Sequence, residues 1–589
     1  MTSSIESQNF FRSLQLLNLL VDIGISHFIL CPGSRSAPLA IAAGELFRRG
    51  KIKLINSLDE RSAGFHALGI STASAENVVV ITTSGTAVAN LLPSAVEADR
   101  SCINVLYITA DRPSRLKDCG ANQTVNQEEF LLSACKLSLN TNLKGLHQTS
   151  FSEIKNLISL IYKENLLKPG PIQLNIPFEK PLLISNEDRK KVLEIFNREY
   201  VNKNISLPLN KIKNESSQAL DKIIKQINLD SSGLIIVGPY RGSKNDLLKF
   251  NKSLEIIQKL TGWPIFADPV SGINSSLRGL VDHWELIIST NEISLNFDQL
   301  LRIGPMSSSN ILEEFLVNFK GPHFLIKEND SRNLDPIKKA IEYQYGLNKF
   351  ANQLLDKKGI KSSTNKKLIP IANILITKGK RIKNLIKKHV TTYDHITELS
   401  IANLVPEIWP KKKPIMISAS SPIRDWLTFS GKEVLNRRCF SFRGASGIDG
   451  TLSIALGIAR IADPLLLVTG DLSFLHDING WLTQDAKDIN LKILLVDNHG
   501  GNIFNRLYKN NLSELEIENL FLMKRSVNWE KLAEAHAIPY RGISSVEELE
   551  EAFQWSLTIQ KSVIIKVDIN TDYEIKQREN LFKYISENY

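Results

Sequence analysis

The sequence reads as an α/β protein of three consecutive α/β domains with mainly parallel sheets. Two observations predict this class. Short apolar runs of four to seven residues recur along the chain, separated by stretches with helical spacing. The runs are apolar throughout rather than alternating, as in strands covered by helices on both faces. A length of 589 residues, at roughly 150 per domain, leaves room for three or four such units.

The first block, 1–195, opens on a helical stretch, Leu14 to Ile25, whose apolar run is broken by Gln15, Asn18 and Asp22 as in an amphipathic helix. Its strands are HFILCPG (27–33), NVVVITTSG (77–85), INVLYITAD (103–111) and GPIQLNIP (170–177). Each ends in Gly, Asp or Pro, and ligands of parallel sheets bind at those carboxyl ends. The middle block, 205–355, repeats the style with GLIIVGPYRG (233–242), GWPIFADPVSG (262–272), LLRIGPM (300–306) and HFLIKEND (323–330). A basic linker and helix, 356–390, follows. The third block, 391–589, carries PIMISAS (414–420), RCFSFRG (438–444), PLLLVTGD (464–471), LKILLVDN (491–498) and SVIIKVDI (562–569).

Composition narrows the class. Hydrophobic residues at 43% and charged residues at 23% exclude long disorder, collagen and a coiled-coil rod. The net charge of +10 invites a nucleic-acid or anionic-membrane partner. Much of it, however, sits in 356–390, where lysines alternate with Ile and Leu and no aromatic residues are interleaved for base stacking. A solvated helix face is the simpler reading, with no nucleic-acid partner. No run approaches a membrane span, and MTSSIESQNFFRS has no basic segment leading into an apolar one. Five scattered cysteines without a CxxC argue against disulfides and a cysteine zinc site, and for a cytoplasmic protein.

The segment PLLLVTGDLSFLHDINGWLTQDAKDINLKILLVDNHGGNIF (464–504) holds the densest chemistry. One strand ends at Gly470-Asp471, a helix is expected over about 477–487, and a second strand ends at Asp497-Asn498. Asp471 and Asn498 lie 27 positions apart, one βαβ crossover, so both face the crevice at the strands' carboxyl ends. An Asp carboxylate, an Asn amide oxygen and a backbone carbonyl in the turn after Asn498 make three hard oxygen ligands. That set suits octahedral Mg²⁺ completed by phosphate and water. Gly500-Gly501 lets the backbone turn a carbonyl inward, and GDLS opens a helix whose N-terminus favours phosphate. The alternative is an ordinary βαβ unit whose Gly-Asp and Asp-Asn pairs merely end strands.

This arrangement resembles the signature of the thiamine-diphosphate-dependent enzymes, a GD followed nearly thirty residues later by N. The resemblance implies a pyrimidine-binding, a central and a diphosphate-binding domain in that order. It implies that Asp471, Asn498 and the Gly500 carbonyl hold Mg²⁺ (or Mn²⁺) and the cofactor diphosphate, with Gly470, Leu472 and Ser473 beside them. It also implies an activating glutamate after the second strand. Glu60 in KLINSLDERSAGFHALG (53–69) is that candidate, against the plainer reading of a surface ion pair among Asp59, Glu60 and Arg61. A carboxylic acid there exchanges a proton with the aminopyrimidine ring. His66, in the following helix, reads as a packed histidine.

CPGSRSAPL (31–39), TSGTAVANLLPSAVEA (83–98), TADRP (109–113), DCGANQ (118–123) and RGASGIDG (443–450) are more specific. They resemble the 2-succinyl-5-enolpyruvyl-6-hydroxy-3-cyclohexene-1-carboxylate (SEPHCHC) synthases of menaquinone or phylloquinone biosynthesis. The likeness is close in the first and third blocks and loose in the middle one. It implies a transferase that decarboxylates 2-oxoglutarate and adds the remaining unit 1,4 to isochorismate. Ser34, Arg35, Arg112, Gln123, Ser420, Arg424 and Arg443 then surround the substrates. Ile448 lies under the thiazolium ring, and Ile503, Phe504 and Leu507 form an apolar wall. Two dicarboxylate substrates need fixed cations, and arginine's planar fork suits them. Four of those arginines fall in strand-end loops. GPMSSSN (304–310) departs from the family by placing Asn310 where relatives carry a lysine. The resemblance further implies a homodimer at least, with a dimer of dimers as the larger form. Another thiamine-diphosphate-dependent 2-oxoacid decarboxylase or an acetolactate-synthase-like carboligase is the alternative. A flavin-bearing relative and a non-catalytic basic binding protein stand behind it.

Overall fold

Parallel strands need long crossovers, and here those crossovers are the helices the sequence interleaves between apolar runs. The computed structural model describes residues 4–200, 218–290, 296–328, 330–509 and 511–588, and the boundary expected near 205 lies outside the described residues. The described strands form three sheets in which every pairing is parallel. The first contains β1 (His27–Leu30), β2 (Lys53–Asn56), β3 (Val78–Thr82), β4 (Val105–Asp111), β5 (Leu137–Asn140) and β6 (Ile172–Pro177). Their order is β2-β1-β3-β4-β6-β5. The middle sheet contains β7 (Gly233–Val237), β8 (Ile265–Ala267), β9 (Gln299–Ile303), β10 (His323–Ile326) and β11 (Ile341–Tyr343), ordered β11-β10-β9-β7-β8. The third contains β12 (Ile415–Ile417), β13 (Cys439–Phe440), β14 (Leu465–Gly470), β15 (Leu491–Asp497), β16 (Tyr540–Ile543) and β17 (Val563–Asp568), ordered β13-β12-β14-β15-β17-β16. The first and third sheets therefore share one strand order.

Every apolar run quoted above forms a strand. The sequence reading misses β5, β11 and β16, which are short edge strands, in part exposed, and carry no unbroken apolar run. The chain folds as two compact units. One holds the first sheet together with 442–461 and 476–486. The other holds the middle and third sheets. In the first unit Phe10, Leu14, Phe28, Ile81, Ile108 and Ile176 belong to one core. In the second, Trp263, Phe266, Trp409, Leu466, Leu494 and Ile565 do so.

Two helices differ from expectation. The opening helix spans Ile5–Asp22, and Gln15 and Asn18 are buried along with the leucines, so it is a core helix rather than one with a wet face. The helix expected over 477–487 is replaced by a short helix Asp471–His476 and 3₁₀ turns at Ile478–Leu482 and Ala486–Asp488. The buried Asp477 carboxylate accepts the Ser453 N–H at 2.7 Å, and Gly480 weakens helix propagation just beyond it. The basic helix, Pro370–Val390, does have a buried face of Ala372, Leu375, Ile382 and Ile386. Its Lys383 and Lys387 pair with Glu433 and Glu407. Among the described residues, no helix is long and apolar enough to cross a membrane.

The first unit positions Glu60. Asp59 caps the helix Glu60–Ser74 by accepting the Ser62 N–H at 3.1 Å, which sets Glu60 as its first residue. That helix packs against Thr451–Ala459 at backbone contact distance. A Cβ on Gly69 would strike the Ile454 carbonyl, and one on Gly457 the His66 carbonyl. His66 is buried and accepts from Arg460 Nε at 2.9 Å, a packed histidine as read from the sequence.

Asp477 ties this helix pair together at an electrostatic cost. Burial pushes its carboxyl up to about 6 from 3.8, with the Ser453 hydrogen bond and Arg61 opposing. The folded chain holds that proton where the unfolded chain has lost it, so stability falls as pH rises from about 4 to about 6. Asp477→Asn is expected to flatten that fall by up to about 3 kcal/mol, since one pKa unit is about 1.4 kcal/mol. Urea unfolding of both proteins at pH 4 and pH 7 checks it; identical slopes would refute the assignment.

Candidate active site

The second unit assembles the oxygen cluster. Gly470 pairs with Val496 across β14 and β15, so Asp471 lies level with Asp497, and Asn498 one residue beyond. Asp471 and Asn498 are both 7% exposed. Asp471 Oδ1 accepts the Leu472 N–H at 2.8 Å. Burial and then the neighbouring Asp497 charge push its carboxyl up to about 6, against hydrogen bonds from the Leu472 and Gly500 backbone. Asp497 is held from the other side by Trp529 Nε1 at 2.7 Å and Lys566 at 3.4 Å. Asn498 Nδ2 donates to Glu398 Oε1 at 2.5 Å, while its Oδ1 is buried with no hydrogen-bond partner.

The turn that follows fixes this geometry. Gly500 has φ +126°, and a Cβ there would strike the Leu522 carbonyl. Asn502 Nδ2 donates to the Asn498 carbonyl, and Asn502 N–H to the Gly500 carbonyl at 2.9 Å. The half-buried Ile503 opens a helix, Ile503–Tyr508, on which Phe504 packs with Tyr508 and Phe521 at ring distances of 5.7 and 5.2 Å. Leu507 stays exposed. Tyr508 and Phe521 extend the expected apolar wall and were not anticipated.

Ser420 follows β12 with φ +72° and precedes the helix Ser421–Phe429. Arg424 lies within that helix rather than in a loop, as the sequence reading had it, and is exposed, with its Nη1 donating to the Ser420 carbonyl at 3.0 Å. Below it is a charged network that the sequence reading missed entirely. Arg506 reaches Asp425 at 2.8 Å, Ser421 at 2.6 Å and Glu398 at 3.8 Å. Arg578 binds Asp425 at 2.9 Å and Glu574 at 2.6 Å. Burial pushes the Glu398 carboxyl up, against the pull of Arg506.

The first unit supplies the other set. Arg112, at the end of β4, donates to Ser84 Oγ and, at 3.3 Å, to Gln123 Oε1. Arg35, after β1, donates to the Phe178 carbonyl at 2.7 Å. Burial lowers the pKa of both, and at Arg35 the positive charge of Arg112 lowers it further, so the two cations are mutual neighbours. Ser34 and Gln123 are exposed, and Gln123 has φ +59°. Arg443 and Ile448 belong to this unit and are half-buried, and the Gly444 and Ala445 N–H groups between them donate to Glu97 at 2.8 and 2.7 Å. Glu60 is half-buried at its helix start. Asn310, at the departing position, is the exposed first residue of the helix Asn310–Asn318.

The oxygen cluster fits a divalent cation. Among the described residues no three His, Cys, Asp or Glu side chains group as metal ligands. Asp471, the orphaned Asn498 oxygen and a glycine-turned carbonyl are instead hard ligands of the type Mg²⁺ takes. A cation bound there would satisfy Asn498 Oδ1 and offset the like charges of Asp471 and Asp497. The turn is its weak point. Gly500→Ala is expected to destabilise the fold by about 1–3 kcal/mol, because a φ that favours glycine and a backbone collision coincide. A urea midpoint equal to that of the parent would show that the turn tolerates a side chain.

Comparison with known proteins meets this geometry at both ends of the chain. Residues 13–130 match the family described as thiamine pyrophosphate enzyme, N-terminal TPP binding domain, and residues 430–567 match its C-terminal TPP binding domain. Three Prochlorococcus marinus proteins named 2-succinyl-5-enolpyruvyl-6-hydroxy-3-cyclohexene-1-carboxylate synthase are similar from end to end. The protein of strain MIT 9215 is 59% identical over 585 residues, 99% of this chain and 100% of its own. That of strain MIT 9515 is 57% identical over 588 residues, all of both chains. That of strain NATL2A is 43% identical over 605 aligned positions, 100% of this chain and 99% of its own. The chain belongs to the SEPHCHC synthase family of the thiamine-diphosphate-dependent enzymes.

Proposed function

We propose that the chain is a transferase that decarboxylates 2-oxoglutarate and adds the remaining four-carbon unit 1,4 to isochorismate. The products are 2-succinyl-5-enolpyruvyl-6-hydroxy-3-cyclohexene-1-carboxylate and CO₂, in menaquinone or phylloquinone biosynthesis. The observation that carries this reading is full-length likeness to synthases of that name. Thiamine diphosphate, when bound, supplies the electron sink for loss of CO₂.

The chain's own residues do the rest. Asp471, Asn498 and the Gly500 carbonyl hold Mg²⁺ or Mn²⁺, and Gly470, Leu472 and Ser473 line the diphosphate. Ile448 and Ile503 support the cofactor rings. Glu60 holds a proton for the aminopyrimidine ring nitrogen and takes it back. Arg35, Arg112, Arg424 and Arg443 bind substrate carboxylates, with Ser34, Gln123 and Ser420 completing their hydrogen bonds. Phe504 and Leu507 exclude water that would protonate the reacting carbon.

Segments 1–195, 205–355 and 391–589 act as the pyrimidine-binding, central and diphosphate-binding domains, joined by 356–390. The working unit is a homodimer in which Glu60 of one protomer serves the Asp471 cluster of its partner, with a dimer of dimers as the larger assembly. Unpaired cysteines, including the buried Cys31 and Cys439, support a cytoplasmic site of action.

Incubation with Mg²⁺, thiamine diphosphate and 2-oxoglutarate is expected to yield the cyclohexene product only when isochorismate is added, read by mass spectrometry. Absence of an isochorismate-dependent product would transfer the protein to the simple decarboxylases or the acetolactate-type carboligases. Glu60→Gln is expected to lower kcat by roughly 100-fold or more while the cofactor still binds.

A further inference from the structure

We infer that Glu398 is a positioning residue that turns the Asn498 amide so that its oxygen, and not its NH₂, faces the cation. The inference rests on the cofactor reading above and concerns a residue 100 positions from Asn498 in sequence. An asparagine amide presents either end unless a neighbour distinguishes them. Glu398 does so. Its Oε1 accepts from Asn498 Nδ2 at 2.5 Å, and a carboxylate oxygen set against the amide favours its NH₂ end. That bond consumes the donor end and leaves Oδ1 buried and unbonded.

Glu398 is itself held on two sides. Its backbone N–H donates to Glu574 Oε2 at 2.8 Å, and its Oε2 lies 3.8 Å from Arg506. The Thr397 cap, accepting the Ser400 N–H at 2.9 Å, fixes the start of its helix. Arg506 in turn grips Ser421 and Asp425 on the helix that carries Arg424. One network thereby orients a metal ligand and braces a substrate-binding helix.

The test is Mn²⁺ titration followed by electron paramagnetic resonance, with thiamine diphosphate present. Glu398→Gln keeps the shape but lets the partner amide donate, so Asn498 loses its preferred orientation. Affinity for Mn²⁺ is expected to fall roughly 10- to 100-fold, the usual effect of losing a residue that orients a metal ligand. Glu398→Asp, whose carboxylate falls short of Asn498, is expected to behave alike and carries the test if Glu398→Gln does not fold. Glu407→Gln removes a carboxylate of the same unit that pairs with Lys387 and touches neither Glu398 nor Asn498, and is expected to leave Mn²⁺ affinity unchanged. The inference is overturned if the Glu398 variants bind Mn²⁺ as the parent does, or if Glu407→Gln weakens it equally. Asp471→Ala separates the two readings. Loss of Mn²⁺ there with none at Glu398 sinks only this inference, whereas a parent protein that binds no Mn²⁺ sinks the cofactor reading and this one together.

Discussion

Parallel pairing is the constraint on which the rest of this structure depends. Strands running one way must be joined by crossovers, so all their carboxyl ends collect on one edge and all their return loops on the other. In a sheet whose order reverses, the loops on either side of the reversal diverge and leave a crevice. The first and third sheets reverse at equivalent places, between β1 and β3 and between β12 and β14. Ser34 and Arg35 follow β1 and Ser84 follows β3. Ser420 follows β12 and Asp471 follows β14. Ser34, Arg35, Ser420 and Asp471 thus fall where topology alone puts a ligand, before any side-chain chemistry is considered.

The two sheets fill equivalent crevices with opposite electrostatics. The third gathers buried oxygen: two adjacent carboxylates, an amide oxygen with no partner, and a carbonyl presented by a glycine turn. Such a cluster is unfavourable by itself, as the raised Asp471 pKa registers, and becomes favourable around a cation. The first sheet gathers guanidinium groups instead. Arg35 and Arg112 are buried near one another and bonded to neutral oxygens, an arrangement that a carboxylate stabilises. Two related frameworks thus carry separate charge sets, oxygen at one crevice and guanidinium at the other.

Much of this was legible in the sequence. Buried parallel strands appear as unbroken apolar runs, and the GD and DN pairs mark strand ends at a spacing that one crossover dictates. The edge strands β5, β11 and β16 were illegible because a half-exposed strand carries no such run. The 3₁₀ turns after Asp477 read as a helix because what interrupts them, the Asp477 carboxylate accepting the distant Ser453 N–H, is a contact no local rule reveals. Glu398 left no trace for the same reason: nothing at position 398 marks it as the partner of an asparagine 100 residues on.

Charge shows the same split between local and tertiary information. The excess of basic residues suggested a polyanionic partner, yet on the basic helix Lys383 and Lys387 pair with Glu433 and Glu407, carboxylates of the chain itself. Of the candidate arginines, Arg35 and Arg112 contribute little to the net charge and are set apart by their depth. A cation on a solvated helix is screened and interchangeable, whereas one buried at a strand end retains its field and its direction. Bulk charge therefore describes the solvated surface of this protein, whereas Arg35 and Arg112 take their character from the groups the fold sets beside them.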